Sequence, residues 1–130
     1  MAEIKKRHNV NKIFALLKVL NKDKRYDPES YSFVMASLDF TTRRMKRRGH
    51  VSGMELLEGI KDHALEQFGP MAMSVLAHWG IKTTNDLGEI VFNMIDAGVL
   101  GKTEQDSKEE FNNRFDFKTA FGRGCKYTIR

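Results

Sequence analysis

The chain has 130 residues, of which 41% are hydrophobic and 30% charged, with a formal net charge of +5. This length and balance suit one folded domain burying about two thirds of its unfolded surface, and they exclude a disordered chain. No apolar run approaches the ~20 residues needed to cross a bilayer, and the lone Cys125 excludes an internal disulfide, which suits a reducing cytoplasm.

The first segment, MAEIKKRHNVNKIFALLKVL, is basic and then apolar. Asn11, Lys12 and Lys18 interrupt the apolar part and no small-residue cleavage site follows, so it reads as mature protein rather than a signal peptide. Asn9 fits an N-cap, and Val10, Ile13, Phe14, Leu17 and Leu20 follow helical spacing, predicting a helix over 9–21. Asp27-Pro28 is a second start signal, a cap followed by proline at the first helical position. Tyr31, Val34, Met35, Leu38 and Met45 then form a stripe that Phe33 and Phe40 widen, as expected of a central helix covered on two sides. Its end, TTRRMKRR, complements the negative end of the helix dipole.

Gly49 breaks that helix, and Ser52 with Glu55 matches the capping box. Leu57, Ile60, Ala64 and Phe68 predict the inner face of the next helix, over 53–68. Gly69-Pro70 closes it and opens a short helix through Met71, Val75, Leu76 and Trp79. Gly80 and Ile81 fit a Schellman closure. Asp86 and Glu89 read as an acidic cap for a helix over 86–97 with Leu87, Ile90, Val91, Met94 and Ile95 inside, and Gly98 and Val99 end it.

Beyond Leu100 the period changes. Phe111, Phe115 and Phe117 fall at even spacing, so VLGK and FNNRFDF are expected to pair as a small hairpin around EQDS. The competing reading is a short helix starting near Ser107. Asp116 fits a cap for a last turn through Ala120, and residues 122–130 form a basic tail. The expected fold is a mainly α, compact single-domain helical bundle over 1–121, with its core over 27–121. The order of helices 53–68, 70–79 and 86–97 is winged-helix-like, the hairpin being the wing.

Several segments in order, YDPESYSFV, HVSGMELLEGI, ALEQFGPMA, LGEIVFNMIDAGVLGKTEQDS and FDF, carry a resemblance across about residues 24–121. Together the chain resembles a family of small uncharacterised bacterial proteins. The resemblance implies a single bacterial domain of this size and supplies no mechanism.

Charge is divided along the chain. Residues 1–50 hold 13 Lys/Arg against 5 Asp/Glu, residues 51–117 hold 5 against 12, and the last 13 residues hold four basic groups and no acid. This favours oriented electrostatic docking. Asp86, Glu89, Asn93 and Asp96 lie along one side of helix 86–97, and no Lys or Arg stands between Leu87 and Leu100, which argues against reading a DNA major groove with that helix. Arg43, Arg44, Lys46, Arg47 and Arg48 are the better nucleic-acid candidates. A fold-back of helix one would add Lys5, Lys6, Arg7, Lys22, Lys24 and Arg25 to one backbone-binding patch.

No motif places a catalytic nucleophile, a metal-ligand set or a cofactor cradle. Gly101-Lys102-Thr103 lacks the glycine a phosphate loop needs five positions earlier, where Asp96 stands. His63 and Glu66 share a helix face without a second pair to complete a metal site. Cys125 lies between basic residues with no partner that would make it a nucleophile. Met71 and Met73 with Trp79 are adaptable apolar contacts suited to a partner groove. The expectation is therefore a non-enzymatic cytoplasmic adaptor without cofactor, binding a protein partner or a second copy of itself. The alternative is a sequence-indifferent RNA or DNA binder using Arg43–Arg48.

Overall fold

The computed structural model describes residues 5–6, 11–46, 51–102 and 106–122. In chain order these form β1 (Lys5–Lys6), α1 (Asn11–Lys22), α2 (Pro28–Met45), α3 (Gly53–Phe68), a 3-10 turn (Gly69–Met71), α4 (Ala72–His78), α5 (Thr84–Asp96), β2 (Leu100–Gly101), a second 3-10 turn (Lys108–Phe111) and α6 (Phe117–Phe121). The chain is mainly helical. The expected cap at Asn9, the residues Arg47, Arg48, His8, His50 and Cys125, and the tail beyond Gly122 lie outside the described residues.

Local chemistry starts and stops these helices as their sequence requires. The Asp27 carboxylate accepts from the Glu29 amide at 2.8 Å ahead of Pro28. At α3 the Ser52 hydroxyl accepts from the Glu55 amide while the Glu55 carboxylate accepts from the Ser52 amide. The Schellman closure predicted at Gly80-Ile81 forms, and the stop predicted at Gly98-Val99 closes with the same bonds. Ile81 N–H donates to Leu76 C=O and Gly80 N–H to Ala77 C=O, while Val99 N–H donates to Met94 C=O and Gly98 N–H to Ile95 C=O. Ile81 and Val99, the apolar residues just past each end, are buried.

Helix α2 is the centre of the packing. It buries Tyr31, Phe33, Val34 and Leu38 together with three hydroxyl residues, Ser30, Ser37 and Thr41. Each hydroxyl donates back to a carbonyl of the preceding turn, at 2.6, 2.9 and 2.7 Å, so burial leaves none unsatisfied. These small side chains let α3 approach closely. A Cβ added at Gly59 would stand 1.7 Å from Thr41 Oγ1. Val34, Leu56, Ile60, Leu76, Ile90, Met94 and Phe111 fill the space between α2, α3, α4 and α5 with no exposed surface. The expected stripe is narrower than its apolar residues suggest, because Met35, Phe40 and Met45 are only half-buried.

Two sequence expectations need correction. Helix α5 begins at Thr84, not Asp86, and its cap is Thr83, whose hydroxyl accepts from the Asp86 amide while the Asp86 carboxylate accepts from the Thr83 amide. Asp86 is the reciprocal member of a capping box rather than the cap itself. The hairpin between VLGK and FNNRFDF does not form. Leu100 and Gly101 pair instead, antiparallel, with Lys6 and Lys5. Ser107 caps the 3-10 turn over Lys108–Phe111, as in the competing reading, and Asp116 caps α6 as expected.

The physical reason is that the phenylalanines anchor to different places. Phe111 is fully buried with its ring edge-on to Phe92 of α5, and its carbonyl accepts from the Thr84 hydroxyl at 2.6 Å. Asn85 holds the same segment, accepting from the Asn113 amide and donating to the Asn112 side chain. Phe117 and Phe121 meet edge to face within α6. Phe115 stacks on Phe117, 6.0 Å between ring centres, so the even spacing joins a 3-10 turn to a helix start rather than marking one strand face, and the winged-helix order of α3, α4 and α5 carries no wing among the described residues.

Candidate interaction surface

The polar side of α5 faces the loop between α1 and α2 rather than open solvent. Tyr26, itself buried, donates its hydroxyl to Asp86 at 2.6 Å. Burial and the hydrogen bond to Asp86 raise the Tyr26 phenol, keeping it a donor. Glu89 meets Arg25 at 3.2 Å and Lys108 at 3.4 Å. Asn93 donates to both Asp23 (2.9 Å) and the Tyr31 hydroxyl (3.0 Å). Arg25 also grips Asp23 through two guanidinium bonds of 2.9 and 2.7 Å. That grip, joined by the Asn93 hydrogen bond, holds the Asp23 carboxyl well below the ordinary carboxylate range against an opposing burial penalty. Of the four predicted polar residues on this helix, Asp86, Glu89 and Asn93 are thus engaged within the fold, and Asp96 is exposed.

The loop is admitted by Gly80. Its φ of +94° suits glycine, and an added Cβ would lie 2.3 Å from the Arg25 carbonyl oxygen. Beside it the Asp27 amide donates to the Trp79 carbonyl at 3.1 Å. The joins of Arg25, Tyr26 and Asp23 to α5 left no signal in the sequence, because the groups they bind there lie 60 or more positions away.

Three members of the basic run at the end of α2, Arg43, Arg44 and Lys46, lie among the described residues. Arg43 and Lys46 are exposed, and Lys46 closes the helix in the left-handed region at φ 57°. Arg44 turns onto the domain, binding Asp62 of α3 at 2.6 Å with its guanidinium 5.1 Å from the Phe40 ring centre. Lys22, Lys24 and Arg25 precede the start of α2, so roughly 25 Å of helix separates them from Arg43 and Lys46. The described residues do not bring the two clusters into one patch.

The third predicted group lies on α4 and its approaches. Met71 is 59% exposed, the highest value among the large hydrophobic residues described, whereas Met73 is half-buried against the core. Trp79 is also half-buried, with ring contacts to Phe33 at 5.6 Å and Phe68 at 5.9 Å. Residues 67–81, QFGPMAMSVLAHWGI, contain no Asp, Glu, Lys or Arg, the longest such run in the chain. Gln67, Pro70, Met71, Ser74, Ala77 and His78 are its exposed positions, within one band about 120° wide at helical spacing. A cleft of about 430 Å³ continues this surface at the end of α4, lined by Leu20, Lys24, Tyr26, Pro28, Ala77 and Trp79 among others. Leu17, one turn from Leu20 on α1, is 53% exposed.

One serine–histidine pair warrants a chemical test. His63 lies flat between Phe33 (ring centres 5.0 Å apart, planes 4° apart) and Phe40 (4.9 Å, 20°), with its Nδ1 2.9 Å from Ser37 Oγ. Ser37 is fully buried and its single hydroxyl proton goes to the Phe33 carbonyl, so Oγ accepts from His63 Nδ1–H. A general base would have to accept from the serine, and a nucleophile would have to be reachable. The pair ties α2 to α3. Among the described residues no three His, Cys, Asp or Glu side chains gather as metal ligands, and no helix is long and apolar enough to cross a membrane.

The chain matches no protein-family model, no curated protein and no solved structure.

Proposed function

We propose that this chain is a non-enzymatic protein–protein interaction module of the bacterial cytoplasm, contacting its partner through the outward face of α4. The observation carrying this reading is the uncharged surface over residues 67–81 in a chain that is 30% charged. Depletion of charge with exposed Met and accessible Trp is the compositional mark of an interface centre, while charged side chains belong to its rim. The bacterial and cytoplasmic parts of the reading rest on the family resemblance and on the single cysteine. Because Asp86, Glu89 and Asn93 hold the α1–α2 loop, the partner contact is assigned to α4.

The test is site-directed photo-crosslinking in cells that encode the chain, with the photoreactive residue at Met71 or at Lys46. Polypeptide adducts from position 71 support the module. If position 71 gives no polypeptide adduct while position 46 gives nucleic-acid adducts, the reading falls.

That second outcome is the signature of the alternative, a sequence-indifferent RNA or DNA binder, which the exposure of Arg43 and Lys46 favours. Such binding weakens linearly in log affinity with log salt and is lost when Arg43 and Lys46 become glutamate. The winged-helix-like order adds nothing to it, since α5 offers phosphate no basic side chain.

A further inference from the structure

We infer that the partner meeting the α4 face is a second copy of this chain, packed two-fold with the two α4 helices antiparallel; this rests on the interaction-module reading above. In an isologous contact, side chains near the axis meet their own counterparts. Any Lys or Glu there would face its own charge, a juxtaposition costing several kcal/mol. The outward band Gln67, Pro70, Met71, Ser74, Ala77 and His78 carries no formal charge with histidine neutral. It is therefore a surface that can meet itself. Ser74, in the middle of the band, and Ala77, at one edge of it, are small enough for two helices to approach closely, and Met71 reaches past them from one end.

The flanks carry opposite signs at opposite ends. Glu66, exposed in the last turn of α3, stands before α4. Lys24, exposed on the rim of the cleft that Arg25 and Asp27 also line, stands at its far end. Antiparallel α4 helices bring the beginning of one against the end of the other, so Glu66 of each copy faces Lys24 of its mate twice per dimer. The apolar shoulder of Leu17 and Leu20 extends the contact beyond the cleft. This extension matters because α4 itself is only about 10 Å long. Stable dimers use about 800 Å² from each partner. The expected assembly is consequently a modest dimer that dissociates on dilution.

Sedimentation velocity of the full chain, from micromolar to millimolar concentration, tests this. The expected result is a concentration-dependent dimer. Ala77→Glu, at an exposed position where folding is unaffected, weakens it by about tenfold or more. Glu66→Lys and Lys24→Glu each weaken it, and the double reversal in one chain restores it. A protein that stays monomeric throughout overturns the proposal, as does a dimer indifferent to Ala77→Glu or unrestored by the double reversal. A monomer that still gives heterologous polypeptide adducts from position 71 leaves the interaction module standing. Absence of any adduct from position 71, with nucleic-acid adducts from position 46, removes both.

Discussion

At Gly59 the domain depends on a missing side chain. Thr41 already fills the space where a Cβ would go, its Oγ1 at 1.7 Å, Cβ at 2.9 Å and Cγ2 at 3.2 Å, and its hydroxyl is tied to the Ser37 carbonyl, so Gly59→Ala forces α2 and α3 apart. The expected loss is about 3 kcal/mol by urea denaturation. Thr41→Ala in the same chain restores part of it by removing Oγ1 and Cγ2. His63 supplies the second residue-scale prediction. Burial holds the imidazole below its ordinary value of 6.5, with Arg43 pushing the same way and Glu66 opposing. The unfolded chain takes up its proton around 6.5 while the folded chain resists, so the unfolded state binds more protons there. Stability is full above that pH and declines as pH falls through 6.5 toward the lower folded value. Urea midpoints from about pH 7.5 to about pH 5 should fall for the parent chain and flatten for His63→Phe. Asp23 behaves likewise but in a more acid window, below its ordinary value of 3.8.

The elements are held by joins that differ in consequence. Asp86 belongs to three at once, accepting from the amides of Lys82 (2.8 Å) and Thr83 (3.1 Å) and from the Tyr26 hydroxyl (2.6 Å). Asp86→Ala therefore removes a capping box and strands a buried phenol, a loss of ~2 kcal/mol by chemical denaturation. Asp96→Ala, on the same helix and exposed, stays within ~0.5 kcal/mol. Equal effects of the two would mean that α5 is not tied to the α1–α2 loop as described. The capping box was legible as Thr83-x-x-Asp86, a pattern obscured by the acidic pair Asp86 and Glu89 beside it. The Tyr26 contact had no local signal, since hydrogen bonding across 60 positions leaves no spacing to find.

For the whole molecule, the division of charge along the chain does not become two opposed faces. Glu89 of the acidic half binds Arg25 of the basic half, Asp62 binds Arg44, and the basic clusters end up at opposite ends of α2. Part of the linear asymmetry is consumed internally, in two pairs that are individually weak at the surface. Fluorescence anisotropy of labelled single-stranded RNA and duplex DNA is therefore expected to show only weak binding at low salt, from Arg43 and Lys46 and any basic residues near them. A steep salt slope abolished by Arg43→Glu with Lys46→Glu would instead favour the nucleic-acid reading.

What the sequence by itself determined is everything written in short-range chemistry. Asp27-Pro28, Ser52-x-x-Glu55, Gly80-Ile81 and Gly98-Val99 place helix ends through bonds spanning a few residues, so each can be read where it stands. Of Met71, Met73 and Trp79, chosen because thioethers and an indole make adaptable contacts, only Met71 is exposed, and Met73 and Trp79 pack in part against the core. Only the tertiary structure decided that Asp86, Glu89 and Asn93 are occupied, that Phe111 locks onto α5 instead of pairing in a hairpin, and that Gly59 and Thr41 share one space. Each of these depends on which distant surfaces meet, and burial is settled by the packed whole rather than by any spacing along the chain.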